Sequence, residues 1–428
     1  MKRLMLVTAL GAVVVAASCT PVSETSTTSA TPPTTAPVPT TDVIEPPIRT
    51  GIGVEDGVIR IGVMVPRSGP VAAFGEAVLT GQMAYWTDVN ETLGGVGGEF
   101  QVEVTVFDHR YETDEALAGF DVLSDQVVGL AGALGSPIDE VLAVPLEANG
   151  MLMMAGSLTS EWVGHSALVP NLLLPTYRDQ VMAGLAWAVA TDPVAEAAIL
   201  YQEGSYGEDC VRGYERAVSD LGLINAARVA HSLTSTDFGA VVGQLNTSEA
   251  EVVVVCTTPD ALTRIIATAD SLEFHPTWLV SAQSFDSSVA AALGGDDGVD
   301  AGLALLGQAR VIGAGPPPEA PASKLRQAII DVDDETNWYT FLGYSQAATF
   351  HLILEEALEA SDLTREGLQA AAGRLDGLDL GLDGPLSSLV RPVPVAAAAV
   401  GVINAESIAA PFGVPASEPY FDSLFAIP

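Results

Sequence analysis

The sequence predicts an α/β protein with two lobes, each built around a doubly wound parallel sheet. From Gly57 onward, β-branched runs alternate with helical patterns, which is the order that forms parallel sheets covered by helices. The chain also partly repeats itself. Residues 252–259 follow the plan of residues 128–137, with an apolar strand, a hydroxyl residue and a proline. Two similar lobes follow from this repeat.

The first strand, turn and helix form the unit around which the rest is organised. Residues 59–65 are a β-branched run, residues 66–70 (Pro-Arg-Ser-Gly-Pro) form a turn, and residues 74–93 are helical. In an open parallel sheet, ligands bind at the carboxyl ends of the strands. This turn is therefore the first place at which we expect a binding site.

The remaining elements continue the alternation. At the third strand, Ser136 is predicted to cap a helix that has Pro137 at its first position. A late apolar strand at 395–402 would join the second sheet, which requires the chain to cross between the lobes three times and makes a hinge of three segments. The other predicted strands are 102–107, 127–134, 151–154, 198–201, 227–232, 252–256 and 277–281, and the other predicted helices are 113–126, 138–148, 178–190, 237–245, 321–330, 338–360 and 364–374.

Composition and charge exclude several classes of function. The chain has 428 residues, of which 48% are hydrophobic and 17% charged, so it can bury large cores. Its formal net charge of −37 argues against nucleic acid or an anionic membrane surface as a partner, because phosphate contacts need clustered Lys and Arg. We interpret the charge as an acidic, solvated surface.

The N-terminus has the pattern of an export signal. Lys2 and Arg3 precede an apolar stretch at 4–15, and residues 16–19 (Ala-Ala-Ser-Cys) resemble a bacterial lipobox, which implies that Cys19 is lipidated. Thr, Ser and Pro dominate residues 20–50. Residues 20–56 are therefore predicted to form an extended tether. The alternative is an ordinary secretory signal in which the cysteine is incidental.

Several segments together resemble the type I periplasmic-binding-protein fold. They are 59–75, 134–137 with 155–157, 198–207, 236–238, 277–281 and 343–344. The resemblance extends from Gly57 to about Gly373, and the most similar group is the branched-chain amino acid receptors of ABC transporters. It implies one lobe at 57–177 plus 310–378 and a second at 178–309 plus 379–428.

This resemblance implies a non-enzymatic mechanism in which two lobes close over a small ligand. Hydroxyls and N–H groups at helix N-termini would hold a ligand carboxylate, and those donors would be Ser136, Ser157 and Thr159. Phe74 would form an aromatic wall, and Tyr206 would close over the ligand from the second lobe. Each of these residues also has an alternative structural role, as a cap, turn, core or helix-entry residue.

Gln283 departs from the pattern of the resembling family. Amino-acid-binding members commonly have a glutamate there facing the α-ammonium group, and a neutral amide pairs less strongly with a cation. Asp286 or Glu203 could compensate, and Gln283 could instead lie in a surface loop. We therefore expect the solute to be an amino acid, an amide or a small carboxylate. Trp162 and Tyr177 are further aromatic candidates near the cleft, although packing roles suit them better.

Two cysteines remain once Cys19 is assigned to lipid. Exported proteins commonly form disulfides, and the helix that carries Cys210 is predicted to start beside the strand that ends at Cys256. Proximity makes a Cys210–Cys256 disulfide plausible. The alternative is two buried free thiols.

The sequence contains no motif that predicts catalysis, a metal or a cofactor. It has no Gly-x-Ser-x-Gly elbow, no His-Glu-x-x-His and no phosphate-binding loop, and its five histidines lack ligand spacing. We expect a monomer, outside the cytoplasm and bound to the membrane only by lipid, that serves an ABC permease of the branched-chain amino acid type. A lipid-anchored sensor of the same fold without a permease is the main alternative, and an envelope scaffold is another.

Overall fold

The computed structural model describes residues 47–69, 71–171, 175–285, 287–307, 309–313, 338–374 and 399–402. Two six-stranded sheets lie in this part of the chain, so the predicted α/β class with parallel sheets is confirmed. The helix predicted at 321–330 lies outside the described residues. No helix in the described ranges has the length and apolar character needed to cross a membrane.

The first sheet is centred on β3, a strand that is almost wholly buried. In parallel register, β3 lies between β4 and β5, β5 pairs with β6, and β6 pairs with β7; β2 pairs antiparallel with the start of β3. The elements of this part, in chain order, are β1 (Arg49–Thr50), β2 (Val54–Glu55), β3 (Val58–Val65), α1 (Ala72–Glu91), β4 (Gln101–Asp108), α2 (Thr113–Leu123), β5 (Leu130–Ala133), α3 (Ser136–Ala148), β6 (Met153–Met154) and β7 (Leu168–Val169).

The second sheet repeats the same strand order. Here β8 lies between β9 and β10, then β11 and β12 follow in parallel. The elements, again in chain order, are α4 (Tyr177–Thr191), β8 (Glu196–Gln202), α5 (Ser205–Leu221), β9 (Ile224–His231), α6 (Gly239–Thr247), β10 (Val252–Cys256), α7 (Pro259–Ser271), β11 (Thr277–Ser281), α8 (Ser287–Gly294), α9 (Val299–Leu306) and β12 (Arg310–Gly313).

The late elements are divided between the two sheets. Helices α10 (Trp338–Glu359) and α11 (Arg365–Arg374) pack with the first sheet, and β13 (Asp362–Leu363) pairs with β1. Strand β14 (Ala399–Val402) pairs antiparallel with β12 in the second sheet. The chain therefore passes between the two sheets three times.

Two predicted boundaries are wrong. The tether is predicted to extend to residue 56, but β1 pairs with β13 and β2 pairs with β3, so both strands belong to the first lobe. The sequence analysis assigns residues from 310 onward to the first lobe, but β12 pairs in parallel with β11 of the second sheet. The reason is apolar packing. Ile312 is fully buried, and a β-carbon on Gly184 of α4 would lie only 2.5 Å from its side chain. Residues 310–313 therefore belong to the second lobe.

The predicted cap at Ser136 is also wrong. Helix α3 begins at Ser136, with Gly135 as its N-cap, and no side chain caps the helix. The equivalent helix of the second lobe, α7, has the predicted arrangement. Thr258 is its N-cap, the Thr258 side chain accepts the N–H of Ala261, and Pro259 is the first residue of the helix. The two lobes therefore share their strand order, but the helices that follow β5 and β10 are capped differently.

Helices α1 and α10 approach each other backbone to backbone. A β-carbon on Gly81 would lie 2.0 Å from the carbonyl oxygen of Thr340, and one on Gly343 would lie 1.9 Å from that of Val78. No real contact is this short, so only glycine fits at both positions. Below this crossing, the helices bury Trp86 and Phe350 in the core of the first lobe.

The Gly343→Ala variant tests this helix crossing. Its methyl group must push the two helices apart, and we expect the free energy of unfolding to fall by about 1–3 kcal/mol. Urea unfolding of the ligand-free protein measures the change. Gly373→Ala in α11 is the control, because no atom of the described residues lies within 4 Å of the added β-carbon. Alanine there should be neutral or stabilising by up to about 1 kcal/mol. Equal stability of the two variants would contradict the close approach.

Candidate ligand-binding site

A cavity of about 230 Å³ lies where the strands of both sheets end. Its lining comes from residues that follow the carboxyl ends of four strands in each sheet, which is where open α/β sheets bind ligands. From the first lobe, the lining residues at strand ends are Val71, Phe74, Tyr111, Leu134, Gly135, Ser136, Pro137, Glu140 and Gly156; from the second, they are Gln202, Glu203, Gly204, Ser205, Tyr206, Leu233, Thr257, Thr258 and Gln283.

Several helices begin at this cavity. Tyr177, which begins α4, and Tyr339 and Leu342, in the first turns of α10, also line it. Together with the starts of α1, α3, α5 and α7, six helix N-termini surround the cavity. The positive ends of these helix dipoles favour an anion or a hydrogen-bond acceptor.

Three buried polar atoms of the lining have no hydrogen-bond partner among the residues that the structure describes. They are Oε1 of Gln202, Oγ of Ser205 and Nε2 of Gln283, and each residue is no more than 9% exposed. An unsatisfied buried polar group costs about 1–3 kcal/mol. Three such groups around one cavity indicate a polar ligand that would satisfy them.

The charged side chains that line the cavity are all acidic and belong to exposed residues. Glu140 and Glu203 are the two carboxylates, and no Lys, Arg or His occurs among the described residues that line the cavity. Glu140 already has a partner, because its Oε1 accepts the N–H of Ser205 across the two lobes at 3.3 Å. The buried part of the lining is neutral.

The two lobes also contact each other beside the cavity. Asp209 of α5 is fully buried, and its carboxylate accepts the N–H and the hydroxyl of Ser160 from the first lobe. It also accepts the N–H of Arg178, 3.0 Å away, and the guanidinium of Arg212, which pairs in turn with Glu161 at 3.1 Å. A network of charge-assisted bonds therefore joins the lobes near the start of α4.

Comparison with known proteins identifies the family. The sequence model described as "Periplasmic binding protein" matches residues 58–392. The chain belongs to the periplasmic binding protein family. Within it, the resemblance to branched-chain amino acid receptors is confirmed by curated relatives.

The relatives are solute-binding proteins of the same type. A Leu/Ile/Val-binding protein homolog of Brucella melitensis is 27% identical over 200 residues, which cover 46% of this chain and 53% of that protein. The leucine-, isoleucine-, valine-, threonine- and alanine-binding protein of Pseudomonas aeruginosa is 25% identical, with 44% and 50% covered. This binding protein spans about half the length of the curated relatives it matches.

Solved structures share the fold across most of the chain. A fatty acid ABC transporter substrate-binding protein from Thermomonospora curvata has a TM-score of 0.75 at 23% identity, covering 88% of this chain and 96% of that one. A leucine-binding protein from Thermotoga maritima has a TM-score of 0.65 at 17% identity, covering 81% and 96%. These likenesses support the fold of this binding protein.

Four of the six predicted ligand contacts line the cavity. Phe74 stacks on Tyr339 with ring centroids 4.4 Å apart. The Ser136 hydroxyl lies beside the cavity but donates to Oγ of Ser157 at 2.9 Å. Tyr206 and Gln283 also line the cavity, from the second lobe.

Ser157 and Thr159 do not line the cavity. Both are fully buried behind its wall, where Ser157 Oγ supports Ser136 and Thr159 caps the short 3₁₀ turn Ser160–Trp162. Their hydroxyls are used by the protein itself, which matches the structural alternative. Trp162 likewise packs against His165 and stays outside the lining.

Sequence reasoning missed several lining residues and left others as alternatives. Tyr111 and Gln202 were missed although each lies at or just after a strand end, a signal that could have selected them. Glu140 was missed because it lies inside α3, seven residues after β5. Tyr339 carries no such signal, because it comes from a helix more than 250 residues after Phe74. Tyr177 and Glu203, which the sequence analysis mentions, do line the cavity, and Asp286 lies outside the described residues.

A buried carboxyl group supports the first-lobe wall. Asp139 is fully buried in the first turn of α3, and it accepts the N–H groups of Gly156 and Ser157 at 3.0 and 2.8 Å. Burial raises the pKa of Asp139 to about 7, against the opposing effect of these two bonds. The position of Ser157, and through it that of Ser136, depends on this carboxyl group.

A disulfide braces the second-lobe wall. The structure joins Cys210 to Cys256, which are one turn after Tyr206 and directly before Thr257. The bridge therefore ties the start of α5 to the end of β10, close to the lining residues Tyr206 and Thr257. Within the described residues, no group of three or more His, Cys, Asp or Glu side chains could hold a metal ion.

The stability of the protein should vary with pH through Asp139. The folded-state pKa is above the unfolded value, so the neutral carboxyl group stabilises the fold fully below about pH 4, and this contribution is lost as the pH rises to about 7. Wild type should lose roughly 2–4 kcal/mol across that window relative to Asp139→Asn. Urea unfolding of both proteins between pH 4 and 8 measures it. Parallel pH profiles would contradict the raised pKa.

Removing the disulfide should destabilise the second lobe. The bridged cysteines are 46 residues apart, and a loop of this size corresponds to about 3–4 kcal/mol. We expect the Cys210→Ala, Cys256→Ala double variant to lose about that much in urea unfolding. Wild type unfolded and refolded in dithiothreitol should lose a similar amount, while the variant should not respond to the reductant. A wild type that is equally stable with and without reductant would argue against the bridge.

Proposed function

We propose that this chain is the solute-binding component of an ABC importer and that it captures a small polar solute between its lobes. The expected solutes are an amino acid, an amide or a small carboxylate. The observation that carries the proposal is the interlobe cavity with its three unpartnered polar atoms, on Gln202, Ser205 and Gln283. The relatives named for binding leucine, isoleucine and valine support the same role, and the role requires no catalysis.

The size of the cavity favours a small solute. Its volume of about 230 Å³ is below the roughly 300–1,000 Å³ that is typical for drug-sized ligands. A solute of amino-acid size fits this space, whereas a long acyl chain does not. The Thermomonospora curvata protein is named for fatty acid transport, but we do not expect a long-chain fatty acid to be the solute of this chain.

Closure of the lobes over the solute is the proposed mechanism. The lining is shared between the lobes, and the Tyr339 hydroxyl of the first lobe donates to the carbonyl oxygen of Gln283 in the second at 3.3 Å. Glu140 and Ser205 make a second cross-lobe bond. A solute that contacts both walls stabilises the closed form over the open one by its differential affinity.

The export pattern supports a membrane-anchored location outside the cytoplasm. We propose that Cys19 is lipidated and that the chain between it and β1 connects this anchor to the first lobe, to which β1 and β2 belong. The binding protein would then deliver its solute, as a monomer, to a permease of the branched-chain amino acid type. The family's extracytoplasmic role supports this location.

A thermal-shift screen of the folded part, from residue 47 onward, tests the proposed function. A solute that binds only the folded protein raises its melting temperature by mass action. Amino acids, amides and small carboxylates should include such a solute. Tyr206→Phe removes a hydroxyl that bonds to the carbonyl oxygen of Thr257, a lining residue, and to Oγ of Ser284, so it loosens the cavity wall and should weaken binding about threefold to tenfold.

Tyr214→Phe is the matched control. It lies two turns further along α5, and its hydroxyl also makes internal hydrogen bonds, to the carbonyl oxygen of Ala197 and to Asn225. Both variants should lose similar stability, but only Tyr206→Phe should lose affinity. Absence of any stabilising solute, or equal affinity loss in the two variants, would count against this site.

A further inference from the structure

Gln283 lines the cavity, and the atom of its side-chain amide that has no partner among the described residues is a donor and not an acceptor. Its Oε1 already accepts the hydroxyl of Ser281 at 2.6 Å. Its Nε2 is buried and has no partner. An amide whose oxygen is occupied can satisfy only a ligand group that accepts a hydrogen bond.

The buried surroundings of Gln283 are uncharged. Gln202, Ser205 and Thr257 are neutral, and burial raises the pKa of the Tyr206 phenol above its ordinary value, so it stays protonated at neutral pH. The carboxylates of the lining, Glu140 and Glu203, belong to exposed residues. An ammonium group beside Gln283 would therefore meet a donor and be buried without a counter-charge, which is costly.

An oxygen acceptor suits the same place. A carboxylate or amide oxygen would accept the Nε2–H of Gln283, and the surrounding helix N-termini favour a partial or full negative charge. The apolar part of the lining, from Phe74, Leu134, Tyr177 and Leu342, can hold a hydrocarbon body.

We propose that Gln283 determines specificity by selecting a small carboxylic acid, or its primary amide, that lacks an α-ammonium group. This inference rests on the proposed solute-binding function and narrows it from three ligand classes to those without a cationic group. Gln283 acts by direct contact with the acceptor oxygen of the ligand. Ser281 is a positioning residue, because its hydroxyl fixes which end of the amide faces the ligand.

Two matched sets of compounds test the proposal by isothermal titration calorimetry. The first is leucine, 4-methylpentanoate and 4-methylpentanamide; the second is phenylalanine, 3-phenylpropanoate and 3-phenylpropanamide. Within a set, the amino acid and the acid differ only in the α-amino group. We expect wild type to bind the acid or the amide of at least one set at least tenfold more tightly than the corresponding amino acid.

Substitutions at Gln283 should change this preference in opposite ways. Gln283→Glu supplies a carboxylate that repels the acid and accepts an ammonium group, so the amino acid should become the tighter ligand. Gln283→Met keeps the size but removes the donor, and it should weaken acid and amide binding about tenfold without improving amino acid binding. Gln244→Glu on the exposed face of α6 adds the same charge away from the cavity and should behave as wild type.

The outcomes separate this inference from the function on which it rests. Tighter binding of leucine or phenylalanine by wild type would overturn the role of Gln283 and leave the solute-binding function standing. An unchanged preference in Gln283→Glu, with a circular dichroism spectrum like that of wild type, would also overturn it. Failure of all six compounds to bind, together with a negative solute screen, would count against the proposed function itself.

Discussion

The architecture depends on one constraint, which is that the parallel strands of both sheets end at the same place. A helix follows most of these strands, so the topology that orders the strands also gathers helix N-termini. Each N-terminus carries about half a positive charge. The chain has a formal net charge of −37, and the only charged residues that line the cavity within the described ranges are Glu140 and Glu203. Any field that favours an anion there therefore comes from backbone groups and not from Lys or Arg.

The same constraint explains why the two lobes have glycines at matching positions. Gly75 is the fourth residue of α1 and Gly207 is the third of α5. A β-carbon at Gly75 would lie 1.9 Å from the carbonyl oxygen of Pro66, and one at Gly207 would lie 1.8 Å from that of Gln202. In each lobe, the first turn of the helix packs directly on the end of the preceding strand. This close packing brings Phe74 and Tyr206 to the cavity from opposite sides.

The elements that could be predicted from sequence are those fixed by local pattern. Val252–Cys256 and Thr277–Ser281 are strands with the predicted bounds, since continuous apolar residues are what a strand buried on both faces requires. The strand predicted at 127–134 is shorter in the structure, where it covers Leu130–Ala133 and its register with β3 shifts after Gly62. Helices α8 and α9 were missed, because small residues and glycines leave them without a clear apolar stripe.

The cavity lining was predicted only where the resemblance to the receptor family marked a residue that follows a strand. Phe74, Ser136, Tyr206 and Gln283, which were selected by this signal, line the cavity. The same signal also selected Ser157 and Thr159, because sequence does not tell a hydroxyl that faces a cavity from one that holds the wall behind it. Tyr339 could not be found, since its place depends on how α10 packs on α1. The orientation of the Gln283 amide depends on a bond from Ser281, which no sequence pattern specifies.

The disulfide lowers the conformational entropy that the protein loses when it binds a solute. Because Cys210 and Cys256 join two elements that both line the cavity, this wall is constrained before any solute arrives. Less conformational entropy is then lost in ordering the wall on binding. A larger part of the binding free energy is then available to shift the equilibrium from the open to the closed arrangement of the lobes. The second lobe therefore moves as a rigid body.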